Sequence, residues 1–368
     1  MRKKIGVIAR GLTKGGVGRL LKNILREFDK RKEFDFYLIY NQKDFFKKES
    51  YKNITKIFIP VKNKLKFDYI DSYKKIKELN LDYTIYPKNV IPINHFKLNC
   101  KKINIINDLG YFEKSINAYP FLDTLFMKVF IKISCKKSDK ILAISKSTKD
   151  DIIKRFHINK NKIKIINAGI ENLFKKTEDK KSLKKTLKNL KIKKPFLFYS
   201  GEITPRKNIW RVLKSFNSIK NNIPHNLYIT GGKIKNSKDI LKYINTNLKN
   251  RVKILGFISE KDLVNMYNLA DLYLYPSLYE GFGLPILEAQ SCGCPVLTSN
   301  ATSCPEVAGD GALIVNPYSE KEISKGILKI LNNKNYKNII IINGLKNIKR
   351  YGCKKTTNKI LEEIKWKN

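Results

Sequence analysis

Histidine is scarce in this sequence, and its cysteines are not spaced as metal ligands. The 368 residues include three histidines, His95, His157 and His225. Cys292 and Cys294 are separated by one residue, whereas zinc ligands are usually separated by about two to four. We therefore expect no metal site and no cofactor.

Long apolar runs are also missing from the sequence. No window reaches the roughly 18 uninterrupted apolar residues of a membrane span, and the best candidate, 121–135, is broken by Asp123, Lys128 and Lys132. The start MRKKIGVIAR runs directly into a strand pattern and lacks the apolar segment of a signal peptide. Together with six cysteines, these absences predict a protein of the reducing cytoplasm, soluble or at most peripheral to a membrane.

Acidic residues are few relative to basic ones. The chain has 75 Lys and Arg against 32 Asp and Glu, which gives a net charge of +43 and a pI of about 9.9. Such an excess is typical of proteins that bind nucleic acid or anionic membranes. Here the excess is spread along the whole chain as Lys mixed with Asn and Ile, as an AT-rich coding sequence produces. We expect it to attract anionic ligands and lipid head groups, and we expect no nucleic-acid partner.

Short β-branched runs alternate with helical stretches along the chain, and this alternation predicts parallel sheets with crossover helices. A Lys-rich segment without strands, 175–194, interrupts the pattern, which then restarts. Hydrophobic residues make up 42% of the chain, enough for two cores. We predict an α/β protein with two doubly wound, Rossmann-like domains and a cleft between them. The predicted domains are 1–180 and 181–350, and a C-terminal helix in 351–368 is predicted to pack back on the first.

The segment 273–296 carries the most informative pattern. A loop with Glu280, Gly281 and Gly283 follows an apolar strand, and a helix with Glu288 begins after it. Glycines allow a ligand to approach the backbone, and the N-terminus of the helix offers free N–H groups to a phosphate. The two carboxylates could contact different parts of one ligand, such as sugar hydroxyls and a ribose. The alternative is that both are ordinary surface acids of a capped helix.

Two further segments follow the first strand of their respective domains. In 200–208, Arg206 and Lys207 supply a guanidinium and an ammonium donor for phosphate oxygens, at the strand end where such sheets bind ligands. In 11–19, the glycine-rich sequence GLTKGGVGR opens a helix. It lacks the Gly-Lys-Ser/Thr ending of a P-loop, so a simple tight turn and a phosphate-binding loop are both compatible with it.

These motifs together resemble the retaining, nucleotide-sugar-dependent glycosyltransferases of family four, which have the GT-B fold. The resemblance covers nearly the whole chain. Its motifs are GGVGR (15–19), INDLGYFE (106–113), SDKILAISKSTKDDI (138–152), NAGIE (167–171), GEITPRKN (201–208), the Glu280–Glu288 block and TSCPEVAGDGALIVNP (302–317). It implies transfer of a mannose- or glucose-type hexosyl unit from a nucleoside diphosphate sugar to a glycan or lipid-linked glycan, in surface polysaccharide or lipopolysaccharide synthesis.

The resemblance also implies roles for individual residues. Arg206 and Lys207 would hold the donor diphosphate, Glu288 the ribose, and Glu280 the transferred sugar as a catalytic residue. The backbone of Gly281, Phe282, Gly283 and Leu284 would contact the sugar and phosphate, and Gly16 would supply a contact from the N-terminal domain. Because the leaving diphosphate itself would take the acceptor proton, no metal would be needed.

The sequence departs from the family pattern at two places. Asn107 and Asp108, which we predict to be catalytic, stand where family members usually have His-Asp. Asn107 cannot take a proton at neutral pH, so a general base at this position is in doubt. His95 could replace the missing imidazole, or it could be an ordinary packing residue. The usual Pro-Asn-Gly is Asn-Ala-Gly at 167–169, where the glycine is kept.

Two other functions remain open from the sequence. One is a nucleotide-sugar epimerase on the same fold, and the other is a non-catalytic basic protein that binds nucleic acid or membrane. The second would not need the acidic pair Glu280 and Glu288. We further expect weak binding to an anionic membrane surface through 41–67. In this segment Lys43, Lys47, Lys48, Lys52, Lys62, Lys64 and Lys66 alternate with Phe45, Phe46, Tyr51 and Phe67.

Overall fold

The chain folds into two compact units. The computed structural model describes residues 2–11, 15–42, 46, 49–113, 120–232 and 238–365. The first unit contains the described residues up to Phe112, residues 120–169 and those from Tyr351 onward. The second unit contains Glu113 and the described residues of Ile170–Arg350. The predicted boundary at 180/181 lies a short way beyond the observed division.

The described part of the first unit contains one sheet of seven strands, all paired in parallel. Apolar residues dominate these strands because both faces of the sheet are covered by helices. In chain order the strands are β1 (Lys3–Ala9), β2 (Phe34–Tyr40), β3 (Ile54–Phe58), β4 (Tyr83–Tyr86), β5 (Lys101–Ile106), β6 (Lys140–Ala143) and β7 (Ile163–Ile165). Their order across the sheet is β3-β2-β1-β4-β5-β6-β7.

Helices connect these strands and bury apolar side chains against them. They are α1 (Gly16–Phe28), α2 (Ser72–Leu79), α3 (Phe121–Lys137) and α4 (Lys146–Phe156). A π-helical turn, Phe67–Asp71, leads into α2 and places the Phe67 side chain in the core. Ser145 caps α4 by accepting a hydrogen bond from the backbone N–H of Thr148 at 3.0 Å.

The second unit repeats the architecture with a sheet of six described strands, again all parallel. The strands are β8 (Phe196–Ser200), β9 (Asn226–Thr230), β10 (Val252–Gly256), β11 (Leu272–Tyr275), β12 (Val296–Ser299) and β13 (Leu313–Val315). Their order is β10-β9-β8-β11-β12-β13. The helices are α5 (Lys180–Asn189), α6 (Ile209–Ile219), α7 (Lys238–Asn247), α8 (Glu260–Leu269), α9 (Leu284–Ser291), α10 (Cys304–Ala308), α11 (Glu320–Asn332) and α12 (Lys334–Asn347).

Strand β8 shows why the second sheet must be covered on both faces. Each of its residues is buried, and alternate side chains point to opposite faces of a strand. Leu197 and Tyr199 pack in an aliphatic core with α6. Phe198 instead contacts the rings of Tyr267 and Tyr273 at centroid distances of 5.4 and 5.9 Å.

The last helix, α13 (Cys353–Lys365), packs on α1 within the first unit. It buries Ile360 and Ile364, and Thr356 Oγ1 donates to the carbonyl of Asn167 at 2.9 Å. A Cβ atom at Gly169 would overlap the backbone of Cys353. This contact explains why the Asn-Ala-Gly turn keeps its glycine.

The strand order reverses direction at one place in each described sheet. In the first unit this switch point lies between β1 and β4, and in the second it lies between β8 and β11. Doubly wound sheets bind ligands outside the carboxyl ends of the strands at such a point, because the two flanking loops diverge there. A ligand-binding site is therefore expected in the segments that follow β1, β4, β8 and β11.

Candidate functional site

The switch point of the second unit brings three charged side chains together. Arg206 and Lys207 lie on a 3₁₀ turn, Pro205–Lys207, in the segment that follows β8. Glu280 lies in the loop that follows β11, and its side chain is 6% exposed. Lys207 Nζ donates to Glu280 Oε1 at 2.6 Å, and Arg206 Nη1 donates to Glu280 Oε2 at 3.3 Å. Topology thus joins residues that are more than 70 positions apart in sequence.

Electrostatics keep this cluster ionised. Burial alone would raise the pKa of Glu280, but the Lys207 ammonium and the Arg206 guanidinium outweigh it, so the net shift is downward. Burial lowers the pKa of Lys207, and the nearby Glu280 carboxylate opposes that shift. Two cations therefore face one carboxylate, and the cluster carries a net positive charge.

The loop between β11 and α9 is held by side chains from the segment that follows β12. Ser303 Oγ donates to the carbonyls of both Glu280 and Phe282 at 2.9 Å, and Thr302 Oγ1 accepts from the Glu280 N–H at 2.9 Å. Gly283 has φ of 99° at the N-cap of α9, a conformation that favours glycine. Gly281 and Phe282 are buried, and Leu284, the first residue of α9, is half-buried.

Glu288 lies on α9 and is buried beside tyrosines. Tyr267 Oη donates to Glu288 Oε2 at 3.1 Å. Ser200 Oγ in turn lies 2.9 Å from the hydroxyl oxygens of both Tyr267 and Tyr273. Glu280 and Glu288 are therefore not surface acids, since each carboxylate is buried and has specific partners.

Asn107 and Asp108 follow β5 in the first unit. The Asn107 side chain is buried and donates from Nδ2 to the carbonyl of Pro87 at 2.8 Å, and its backbone N–H donates to Asn89 Oδ1 at 2.7 Å. Asn107 Oδ1 is a buried acceptor without a hydrogen-bond partner among the described residues. Asp108 Oδ1 accepts from the Gly110 N–H at 3.0 Å and so caps the following turn.

His95 is a packing residue, as one of the two interpretations from the sequence held. Its side chain is fully buried. Nδ1 lies 3.0 Å from Tyr86 Oη, and Nε2 lies 2.7 Å from the carbonyl oxygen of Asp68. Burial lowers the pKa of His95 to about 4, so the ring is neutral at physiological pH. Both ring nitrogens are engaged inside the unit, so His95 does not replace the imidazole missing at 107.

Gly16 is the first residue of α1, and Gly15 is its N-cap. A Cβ atom at either glycine would meet no described atom within 4 Å, so packing does not require glycine there. Leu12, Thr13 and Lys14 of the same motif lie outside the described residues.

The switch point of the first unit is also lined by charged side chains. Arg10 follows β1 and forms an ion pair with the buried Asp68, while Lys88 follows β4 and donates to the carbonyl of Gly11 at 2.7 Å. Burial lowers the pKa of Lys88 to about 8, and the charges of Arg10 and Lys64 add to this shift. Burial raises the pKa of Asp68 to about 6 despite the Arg10 partner. The cavity between these side chains is about 20 Å³, room for little more than a water molecule.

Several residues around the second-unit cluster were missed from the sequence. Tyr275 Oη accepts from Lys207 Nζ at 2.6 Å, and Tyr199 Oη donates to the Lys207 carbonyl at 2.9 Å. Asn208 has a left-handed conformation and donates to the carbonyls of Pro276 and Pro317 at 2.9 and 2.7 Å. The repeated tyrosines of the DLYLYPS strand were the available sequence signal for these contacts, but the same pattern is typical of ordinary core residues.

Two doubly wound units, one with a buried Arg-Lys-Glu cluster at its switch point, define a two-domain α/β protein. The solved structures that the chain resembles agree. Its fold superposes on the HepE protein of Anabaena in complex with UDP and glucose with a TM-score of 0.79 at 18% identity, covering 99% of each chain. It superposes on WaaG, a glycosyltransferase involved in lipopolysaccharide biosynthesis, with a TM-score of 0.77 at 18% identity, covering 99% of this chain and all of WaaG. The predicted two-domain GT-B fold is confirmed.

Residues 184–347 match the family model described as Glycosyl transferases group 1. The O-antigen chain mannosyltransferase B of Escherichia coli is 28% identical over 65% of this chain. A UDP-Gal:alpha-D-GlcNAc-diphosphoundecaprenol alpha-1,3-galactosyltransferase of Escherichia coli is 31% identical over 44% of this chain. The alignments span 64% and 42% of these relatives' own lengths. The resemblance to glycosyltransferases that the motifs indicated is confirmed, and the family match lies in residues 184–347.

Proposed function

We propose that this chain is a retaining glycosyltransferase that moves a mannose- or glucose-type hexosyl unit from a nucleoside diphosphate sugar to an acceptor hydroxyl. The cluster of Arg206, Lys207 and Glu280 carries the proposal. Its net positive charge and its position at a sheet switch point suit a diphosphate. The mannosyl- and galactosyltransferase relatives and the UDP and UDP-glucose complexes of HepE support this interpretation.

In the proposed reaction, the bond from the sugar C1 to the diphosphate breaks while the acceptor oxygen attacks from the same face. The leaving diphosphate accepts the acceptor proton. Arg206 and Lys207 stabilise the negative charge that develops on the diphosphate, and Glu280 binds the sugar on which positive charge develops. The two basic side chains supply the cationic charge that a metal provides in other phosphate sites, so we propose that no metal is required.

The remaining site residues are proposed to bind and orient the substrates. Glu288 would bind the ribose after exchanging its Tyr267 partner, and the backbone of 281–284 would contact the sugar and phosphate. Asn107 Oδ1, the buried acceptor described above, would accept a hydrogen bond from a sugar hydroxyl. Asp108 and Gly16 keep the roles that the family resemblance implies.

We propose a glycan or lipid-linked glycan of surface polysaccharide synthesis as the acceptor, in the cytoplasm at the inner face of the membrane. The acceptor would bind at the switch point of the first unit. Lys88 lies there beside the Arg10–Asp68 ion pair, and its positive charge suits an acceptor that carries phosphate. The acceptor would bind outside the small cavity between these side chains, which holds little more than a water molecule. Among the described ranges, no helix is both long and apolar enough to cross a bilayer.

A donor screen tests the proposal. The protein is mixed with UDP-, GDP- and ADP-sugars, and the thermal shift is measured; one nucleotide should raise the melting temperature, and Arg206→Ala should lose the effect. Proton NMR of the product, made with a lipid-free acceptor analogue, should show the anomeric configuration of the donor retained. An inverted product would contradict retention. Conversion of the donor sugar without transfer to an acceptor would instead indicate an epimerase.

A further inference from the structure

The carboxylate of Glu288 is joined to a chain of buried hydroxyl groups. Ser200 ends β8, Tyr267 lies on α8 and Tyr273 lies on β11, and all three side chains are buried. Ser200 Oγ lies 2.9 Å from Tyr267 Oη and 2.9 Å from Tyr273 Oη. Tyr267 Oη lies 3.1 Å from Glu288 Oε2. These groups form one hydrogen-bonded chain that ends on the carboxylate proposed above to bind the ribose.

The chemistry of the groups decides which of them donates. An ionised carboxylate only accepts, so Tyr267 donates its hydroxyl hydrogen to Glu288. Tyr273 Oη donates to the backbone carbonyl of Ser200 at 3.3 Å. Burial raises the pKa of both tyrosines well above the ordinary value, so each hydroxyl keeps its hydrogen. Ser200 Oγ, which can both donate and accept, therefore links two hydroxyl groups that already have acceptors.

A ligand hydroxyl that binds Glu288 competes with Tyr267 for the carboxylate. Once displaced, the Tyr267 hydrogen needs another acceptor, and solvent cannot supply one because the side chain is fully buried. Ser200 Oγ is within reach of it at 2.9 Å. Ser200 then donates to Tyr273 Oη, and Tyr273 still donates to the Ser200 carbonyl. Each hydrogen again has an acceptor after rotation of hydroxyl groups alone.

We propose that Tyr267 and Ser200 are positioning residues that let Glu288 exchange an internal partner for a ribose hydroxyl. Tyr267 holds the carboxylate until the nucleotide binds, and Ser200 then accepts the hydrogen that Tyr267 withdraws. The inference rests on the proposed function, because it takes Glu288 as the group that binds the ribose. It goes further by assigning the exchange to two side chains that do not touch the substrate.

Isothermal titration calorimetry of the full chain tests the proposal with UDP, GDP or ADP, whichever the donor screen selects. Ser200→Ala should bind the nucleotide roughly five- to hundredfold more weakly, because the displaced Tyr267 hydrogen is left buried without an acceptor. Tyr267→Phe should bind at least as tightly as the parent, because no internal partner has to be displaced. The double variant should bind like Tyr267→Phe, so the second substitution rescues the first.

The 2′,3′-dideoxy form of the same nucleotide shows whether the effect depends on the ribose. This analogue has no ribose hydroxyl with which to displace Tyr267 from Glu288. The parent and Ser200→Ala should therefore bind it with equal affinity. A purely structural role of Ser200 would instead weaken the binding of both nucleotides to the same extent.

The matched controls remove one buried hydroxyl each elsewhere in the second unit. Tyr228 Oη accepts from the backbone N–H of Lys193 at 2.8 Å, and Ser215 Oγ donates to the carbonyl of Glu320 at 3.0 Å. Tyr228→Phe and Ser215→Ala should bind the nucleotide like the parent. Circular dichroism and the melting temperature without nucleotide check that each variant is folded. If Ser200→Ala is unfolded, the affinity of Tyr267→Phe decides the test.

Two results would overturn the exchange. One is a folded Ser200→Ala that binds the nucleotide like the parent or that loses affinity equally for the dideoxy form. The other is a Tyr267→Phe that binds the nucleotide about tenfold more weakly, since Tyr267 would then stay on Glu288 while the ribose is bound. If the parent binds none of the three nucleotides, the proposed function itself fails, and the exchange fails with it.

Discussion

Replacing Glu280 with Gln tests the charge balance of the cluster. Gln has nearly the same shape, so the substitution removes the negative charge and leaves the packing. Lys207 and Arg206, whose side chains are 12% and 20% exposed, would then lie side by side without their carboxylate. Two poorly hydrated cations in contact are unfavourable, so the second unit should lose stability.

The expected loss of unfolding free energy is large for one substitution. Breaking a buried ion pair by removing one partner costs about 3–5 kcal/mol. A unit of this size loses about 2–4 °C per kcal/mol, so its melting temperature should fall by roughly 6–20 °C. Because the pKa of Glu280 is lowered on folding, its stabilisation is complete above its ordinary pKa of about 4.3. The parent should therefore lose its higher stability relative to Glu280→Gln as the pH falls through the lowered pKa of Glu280.

A nucleoside diphosphate should partly restore the variant. In the parent the diphosphate competes with Glu280 for Lys207 and Arg206, whereas in Glu280→Gln the two cations have no competing carboxylate. The nucleotide should therefore raise the melting temperature of the variant more than that of the parent. Sugar transfer should nevertheless fall by about a hundredfold or more, because the charge facing the transferred sugar is gone.

Differential scanning calorimetry at pH 7, with and without the nucleotide found in the donor screen, measures both effects. Glu320→Gln is the control, since Glu320 pairs with Lys214 at the surface and such pairs contribute at most about 1 kcal/mol. Glu280→Gln could instead have the same melting temperature as Glu320→Gln, and nucleotide could stabilise it no more than the parent. In that case the Glu280 carboxylate does not balance the charges of Lys207 and Arg206.

Three further outcomes are expected. Arg206→Ala should bind the nucleoside diphosphate roughly ten- to hundredfold more weakly by calorimetry, the loss of one charge-assisted contact of about 1.5–3 kcal/mol; unchanged affinity would exclude the phosphate role. Turnover should survive EDTA, and loss that magnesium or manganese restores would contradict the metal-free mechanism. With a phosphate-bearing acceptor, KM should rise as the pH rises through about 8, where Lys88 loses its charge; Lys88→Arg should remove this rise, and an identical profile in both proteins would count against Lys88.

Most of the strands could be predicted because they are continuous buried runs. FDFYLIY at 34–40 and NLYIT at 226–230 both form parallel strands with a neighbour on each side. Strand β7, Ile163–Ile165, was missed because three residues give no usable pattern. The sequence also gave no sign of a helix within 175–194, where α5 forms.

Helix α5 escaped prediction because it docks through polar side chains. Its buried residues are Ser182 and Thr186, not leucines. Asn265 Nδ2 donates to Ser182 Oγ and to Thr186 Oγ1 at 2.9 Å, and Thr186 Oγ1 donates to Asp262 Oδ1 at 2.7 Å. Hydrophobic periodicity detects only helices that bury apolar faces. A helix that docks through side-chain hydrogen bonds is therefore not distinguished from a linker in the sequence.

The second-unit cluster was predictable because topology alone decides it. Two motifs that each follow a strand must meet if those strands flank the switch point, whatever their separation in sequence. The tyrosines around Glu288 and the serine that holds the 280–282 loop depend on side-chain directions, which no spacing rule specifies. The same limit applies to 41–67, since composition cannot tell that Phe46 and Phe67 face the core. Lys43, Phe45, Lys47 and Lys48 of this segment lie outside the described residues. The expected membrane contact of this segment stays a prediction.

Burial separates the basic residues with a proposed role from the many without one. With 75 Lys and Arg in the chain, composition gives no reason to choose any of them. Lys207 and Lys88 differ from most because each follows a strand at a switch point and burial lowers the pKa of each. Keeping a lysine partly dehydrated costs free energy, and an anionic ligand offsets that cost. The net charge of +43 thus describes the surface, whereas the proposed chemistry depends on a few cations that folding removes from water.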